Sequence, residues 1–374
     1  MMRNLSLLSI SLGVALALAL GGCPKQEAEQ PVEPPKKEEP KPEPAKTGLE
    51  AGNPELAKAI KTVIEKCEVS DFGFARNCKE DADKALKKQE GIAGVKESLN
   101  TYCYGLSDPN HLVQALAANQ INRLSFSRHI KENADEKVLA CMMGVLNETK
   151  KERVATTVVR AATYMATALN KDAEIIKYIE GTEQKSVKAA GYGSLWANGR
   201  MRVFDTLAKV IKEGTDEVIR VSAINGFALG DRLSKDEEAK ICELVSPLMT
   251  VDDVHVAASA ASRVANSCPD LKDKVLDAAE EMIKKGKFDM SYTSAVRNVD
   301  GFFNNKATPA QKKRAVDLLT KVVEDNKFND ITRSSALRKI GWLDKDGGKK
   351  LAKKLAKSDS NFIRRAAEFV LNQK

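Results

Sequence analysis

Ile219-Arg220-Val221-Ser222-Ala223 is echoed at Val254-His255-Val256-Ala257-Ala258, Tyr292-Thr293-Ser294-Ala295, Thr332-Arg333-Ser334-Ser335-Ala336 and Ile363-Arg364-Arg365-Ala366-Ala367. The last alanine of each falls at 223, 258, 295, 336 and 367, so the intervals are 35, 37, 41 and 31 residues. Leu112 to Ala118 (LVQALAA), Val159-Arg160-Ala161-Ala162 and Val187-Lys188-Ala189-Ala190 are earlier, weaker members of the series. A period of this length with two helices per unit means a solenoid, because one helical hairpin cannot bury its own apolar stripe and must stack on neighbours. After Thr215, residues Ile219, Ser222, Ala223, Gly226 and Phe227 keep the helical spacing of a single buried stripe.

The punctuation agrees with helix. Asn53-Pro54, Asp108-Pro109 and Thr308-Pro309 read as N-caps followed by proline in the first turn. Ser234 with Glu237 and Thr308 with Gln311 read as capping boxes. Gly199, Gly214, Gly230 and Gly286 stand where helices should end. Aromatic residues are only 5%, and Ala, Leu, Lys and Glu dominate, all good helix formers. The expected fold is all-α: an α-solenoid of stacked antiparallel helix hairpins over residues 48–374, about eight or nine pairs of helices. Residues 48–104 fit the period poorly and are expected to form an atypical N-terminal cap.

The second helix of each unit resembles the HEAT repeat, in which an aspartate at the hairpin turn precedes valine-arginine and a pair of small residues. The resemblance covers most of residues 100–374. It implies a ladder in which each arginine reaches the turn aspartate of its own or the next repeat. Asp216 with Arg220, Asp330 with Arg333 and Asp359 with Arg364 match; Asp253 with His255 and the unit at Tyr292 depart from it. The tetratricopeptide pattern is not found.

Ahead of the repeats, Arg3 is followed by the uncharged run Leu5 to Leu20 and then Gly21, Gly22 and Cys23. A basic start, an apolar stretch and a small-residue site make a secretory signal over residues 1–22. An ordinary cleaved signal and an uncleaved signal anchor are the alternative readings. Leu20-Gly21-Gly22-Cys23 resembles the bacterial lipobox, which implies that Cys23 is acylated and becomes the first mature residue. Pro24, in place of a retaining aspartate, then points to the outer membrane of a bacterial cell envelope, facing the periplasm. Residues 24–47 hold seven of the chain's twelve prolines, six Glu and five Lys, with Val32 the one sizeable apolar side chain. Such a stretch lacks the apolar surface to offset its ordering entropy, so residues 23–47 read as a lipidated cysteine and a disordered tether. A proline-rich ligand for another domain is the alternative.

With Cys23 assigned to lipid, six cysteines remain: Cys67, Cys78, Cys103, Cys141, Cys242 and Cys268. In an exported chain these are candidates for up to three disulfides, and composition cannot choose among the connectivities. Cys67 closes one helix and Cys78 is placed in the next across the turn Ser70 to Gly73, near enough to bridge. Ideal hairpins would leave Cys103 offset from Cys141, and Cys242 from Cys268, by a turn or two. The absence of C-x-x-C argues against zinc.

Chemistry-bearing clusters are sparse. The three histidines are His111, His129 and His255, and nothing in their local spacing suggests a catalytic triad or a metal cluster. Gly191-Tyr192-Gly193-Ser194 lies in a helical pattern and reads as close helix packing. The net charge of +8 mixes 60 basic with 52 acidic residues, which does not suit a nucleic-acid binder. From Arg338 to Lys374 eleven residues are basic and four acidic, with Lys349, Lys350, Lys353, Lys354 and Lys357 together. This is either the solvated face of a terminal repeat or a patch for an anionic partner. The functional expectation is a membrane-anchored lipoprotein whose solenoid binds or scaffolds proteins of the envelope, with no metal, cofactor, nucleic acid or enzymatic role. The alternative is a periplasmic receptor for a small or anionic ligand such as a lipid headgroup or peptidoglycan.

Overall fold

The computed structural model describes residues 48–126, 130–228, 233–301 and 306–373. The signal, Cys23, the tether, His129 and Gly230 lie outside the described residues. The α-helices in chain order are α1 (Pro54–Lys66), α2 (Ala82–Gly105), α3 (His111–Ser125), α4 (Ile130–Asn133), α5 (Glu136–Glu148), α6 (Glu152–Ala168), α7 (Asp172–Gly181), α8 (Lys185–Gly199) and α9 (Phe204–Glu213). They continue as α10 (Glu217–Gly226), α11 (Lys235–Val245), α12 (Val254–Ser267), α13 (Lys272–Lys284), α14 (Met290–Asn298), α15 (Pro309–Glu324), α16 (Asp330–Leu343), α17 (Lys345–Leu355) and α18 (Asn361–Leu371). From α5 onward they alternate between two layers, and α2 with α3 forms an equivalent pair ahead of them. The fold is the all-α solenoid that the repeat implied.

The inner layer, α3, α6, α8, α10, α12, α14, α16 and α18, packs helix against helix without interruption, whereas the outer helices touch one another far less. The cause is side-chain size. On α12 the buried residues include Ala257, Ala258, Ala260, Ala261 and Ala265, and small residues let helix axes approach closely. At the crossing of α8 and α10, a Cβ added to Gly226 would lie 2.8 Å from the carbonyl oxygen of Gly193. The outer helices bury one stripe, as Leu207 and Ile211 do on α9, and carry their charges outward.

Helix starts follow the turn chemistry read from sequence, with one correction. Asn53 accepts from Leu56 N, and Ser234 and Thr308 form capping boxes with Glu237 and Gln311. Asp108 does not cap α3; that cap is Asn110, which accepts from Leu112 N. The Asp108 carboxylate is already engaged, accepting from Asn110 N at 3.0 Å and Leu49 N at 3.4 Å. Of the expected glycine stops, Gly286 is left-handed (φ +66°), with its N–H on Ile283 O and that of Lys287 on Met282 O, the Schellman arrangement. Gly199 is the last residue of α8, and Arg200 takes the positive φ in its place; Gly214 is extended.

The N-terminal cap departs most from expectation. Between α1 and α2 the chain makes a small antiparallel hairpin, Glu68–Val69 against Ala75–Arg76. Cys78 therefore precedes α2 instead of lying within it, because Asn77, Glu80 and Asp81 all hold positive φ and the helix starts only at Ala82.

Candidate functional site

The six cysteines form three pairs at disulfide distance, with Cα separations of 4.0 Å for Cys67 and Cys78, 6.3 Å for Cys103 and Cys141, and 5.9 Å for Cys242 and Cys268. The expected offset of the last two pairs is corrected. Cys103 and Cys141 sit on α2 and α5, helices of consecutive repeats with no shared turn to set their levels. For Cys242, the 3-10 turn Ser246–Thr250 lengthens the rising arm after α11, so that descending α12 delivers Cys268 alongside it.

The aspartate-arginine ladder also takes another form. Arg220 Nε donates to the carbonyl of Ile211 at 3.0 Å and Arg333 Nε to that of Val323 at 2.9 Å. Arg364 donates to the carbonyls of Ser358 and Asp359. Arg220 and Arg333 thus close the carbonyl end of the preceding outer helix, where four acceptors lack intrahelical donors and the helix dipole is negative, whereas the acceptors of Arg364 lie in the loop between α17 and α18. Asp330 alone of the three aspartates pairs with its arginine, at 3.5 Å. Asp216 caps α10 and takes Lys185 of the preceding repeat at 2.9 Å, which holds its carboxyl below the usual range. His255 stands between Glu217 and Asp289, 3.7 Å from each.

Contacts from repeat to repeat run instead through small polar side chains on the inner layer. Thr156 and Ser186 are 3.2 Å apart, Asn298 donates to Ser262 at 3.0 Å, and Thr293 and Ser335 are 2.7 Å apart. Farther out, Arg200 forks onto both oxygens of Glu237 and Arg202 onto those of Asp172. Arg263 is buried on α12; its guanidinium donates to Ser267 Oγ at 3.4 Å and to the Asn225 carbonyl at 3.5 Å, and burial pushes it down to about 10.

Two grooves lie on the inner face among the described residues. One, of about 590 Å³, crosses α3, α6, α8 and α10; Phe126, Arg160 and Val218 stand around a floor that includes Gly193, Ser222 and Gly226. The other, of about 540 Å³, crosses α14, α16 and α18. Val218, Ile331 and Phe362 each occupy the second position of their helix, and all three are exposed, at 57%, 47% and 56%. Met290, at the first position of α14, is 50% exposed. Single-sequence reading missed this set, although the shared offset after each N-cap was available in the repeat.

The C-terminal lysines do not belong to that groove. All five lie on or just beyond α17 in the outer layer, Lys350, Lys353, Lys354 and Lys357 exposed and Lys349 partly covered. His111 is exposed at the start of α3. Among the described residues no group of acidic, histidine or cysteine side chains has metal-binding geometry, and no helix is long and apolar enough to cross a membrane.

No protein-family model matches the sequence, and no curated protein matches it. Among solved structures, the chain is similar to the crystal structure of an engineered protein from the Northeast Structural Genomics Consortium, at 15% identity and a TM-score of 0.35, over 87% of this chain and 85% of that one.

Proposed function

We propose that this chain is a lipoprotein of the bacterial cell envelope, held to the membrane by acyl chains on Cys23 and using the inner face of its solenoid to bind or scaffold proteins. The observation that carries the binding role is the recurrence of an exposed apolar side chain, Val218, Ile331 and Phe362, at one helical position on the inner-layer helices α10, α16 and α18. Exposed apolar side chains spaced along one face of a solenoid suit an extended partner, since exposed apolar surface is what protein contacts cover. The anchor rests on the lipobox resemblance, and three cysteine pairs at bonding distance suit an oxidising compartment. The proline-rich stretch after Cys23 would serve as a standoff from the bilayer.

A photo-reactive amino acid placed at Val218 or Ile331 in cells tests the binding role against outer-layer controls at Glu174 and Lys313. Discrete adducts from the inner positions and none from the outer ones are expected. Equal labelling from both layers, or none from either, would sink the scaffold reading.

A further inference from the structure

The groove across α14, α16 and α18 gathers three cations, Arg338, Lys339 and Arg365, where the groove across α3, α6, α8 and α10 has one, Arg160. Along α16, Ile331, Arg338 and Trp342 share one face; along α18, Phe362, Arg365 and Phe369 do. Arg338 lies over the Phe369 ring at 5.4 Å, and Trp342 meets the same ring at 6.5 Å. Lys339 completes the cations, and no carboxylate lines the groove among the described residues. Burial, and then the neighbouring Arg297 and Arg338, hold the Lys339 ammonium below its ordinary range. Three cations gathered over half-covered aromatic surface repel one another until an anion joins them.

We propose that this groove is a docking site for an acidic polypeptide segment, one whose carboxylates meet Arg338, Lys339 and Arg365 while its apolar side chains cover Trp342, Phe362 and Phe369. The proposal rests on the scaffold reading and names the partner chemistry at one end of that face. Charge complementarity sets the sign of the partner. The shape sets its class: the groove is open along its length, with Ser334 and Ser335 in its lining, so an acyl chain laid in it would keep much of its surface in water. Apolar stabilisation follows the area removed from water, and a peptide that covers the aromatic side chains from above removes more of it. Arginine and aromatic side chains are also both enriched at protein interfaces.

The test uses the full chain in detergent micelles and three sets of fluorescein-labelled 14-residue peptides: Asp/Glu alternating with Leu/Phe, Lys/Arg alternating with Leu/Phe, and Asp/Glu alternating with Ser/Gly. Of the two tryptophans, Trp196 is fully buried and Trp342 is 60% exposed, so a blue shift on titration with unlabelled peptide reports the groove. The acidic-apolar set is expected to bind at least about tenfold tighter than either other set, with a blue shift, and to weaken in high salt. Arg338→Glu with Arg365→Glu should remove about tenfold or more of that affinity, while Arg338→Lys with Arg365→Lys keeps most of it. Circular dichroism verifies that both double variants are folded. Equal binding of acidic and basic peptides, or affinity untouched by the charge reversals, would overturn the proposal. So would a Trp342 shift with soluble dihexanoylphosphatidylglycerol and none with peptide, which marks a lipid site, or a dimer dispersed by the reversals, which marks a second copy as the occupant. Adducts from Val218 at the opposite groove would persist in any of these cases if the scaffold reading stands, so the two fail separately.

Discussion

Gly226 of α10 faces the Gly193 carbonyl of α8 so closely that a methyl group on Gly226 would sit 2.8 Å from that oxygen. The obstacle is backbone in the middle of a helix, which cannot turn aside as a side chain does. Gly226→Ala should therefore cost about 1–3 kcal/mol of unfolding free energy, the usual range for overpacking. Gly144 on α5 provides the control, since a Cβ there meets nothing within 4 Å; Gly144→Ala should be neutral or stabilising by up to about 1 kcal/mol. Urea unfolding followed by circular dichroism checks both, and equal effects at the two sites would remove the close-packing account of the inner layer.

The cysteine pairs predict a connectivity of neighbours. Non-reducing peptide mapping should recover Cys67 with Cys78, Cys103 with Cys141 and Cys242 with Cys268. Replacing Cys103 and Cys141 by alanine should lower stability by about 3–4 kcal/mol in the loop-entropy account. Any crossed pairing in the oxidised protein would contradict the arrangement of α2 with α5 and of α11 with α12.

Glu237 gives a pH dependence with a defined sign. The Arg200 guanidinium donating to it, helped by the Ser234 backbone N–H, holds its carboxyl below the ordinary value of 4.5. The folded state thus keeps this carboxylate charged where the unfolded chain protonates it, so its contribution is present above about 4.5 and is lost as pH falls through the depressed value. At pH 7, Glu237→Gln should cost about 1.5–3 kcal/mol, the range of hydrogen bonds to charged groups. The urea midpoints of wild type and variant should converge in acid. A constant gap down to the lowest pH at which the protein folds would show that Glu237 acts through packing alone.

Under the anchor proposal, Cys23→Ser leaves either an unprocessed precursor or a soluble product, while the wild type follows the detergent phase on partitioning. Two or three acyl chains, at about 0.8 kcal/mol per buried methylene, hold a protein durably where one does not. Wild-type protein in the aqueous phase, with an unacylated mass, would rule out lipidation.

The repeat was legible because the inner helices need small residues at one level, and alanines at 223, 258, 295, 336 and 367 record that need directly. Capping boxes were legible for the same reason: donor and acceptor lie three residues apart. The arginines were misread because their acceptors are carbonyls, those of Ile211 and Val323 among them, and a backbone carbonyl leaves no mark on residue type. The hairpin before α2 is two residues per strand, too short for any alternation to register. The basic groove draws its cations and rings from positions 338 to 369 on separate repeats, and only the packing of α14, α16 and α18 makes them one surface.

Each cysteine pair encloses only a short stretch of chain, with sequence separations of 11, 38 and 26 residues. Under a stretching load such loops stay closed and add nothing to the length the chain can pay out, at roughly 3.3–3.6 Å for every residue withheld. The helices from α13 to α18 carry no such bridge. Neither do α6 to α10, which lie between Cys141 and Cys242, so a pull between the two ends would pay out these repeats and α13 to α18 in full, and oxidation would shorten the fully extended chain only by the three closed loops.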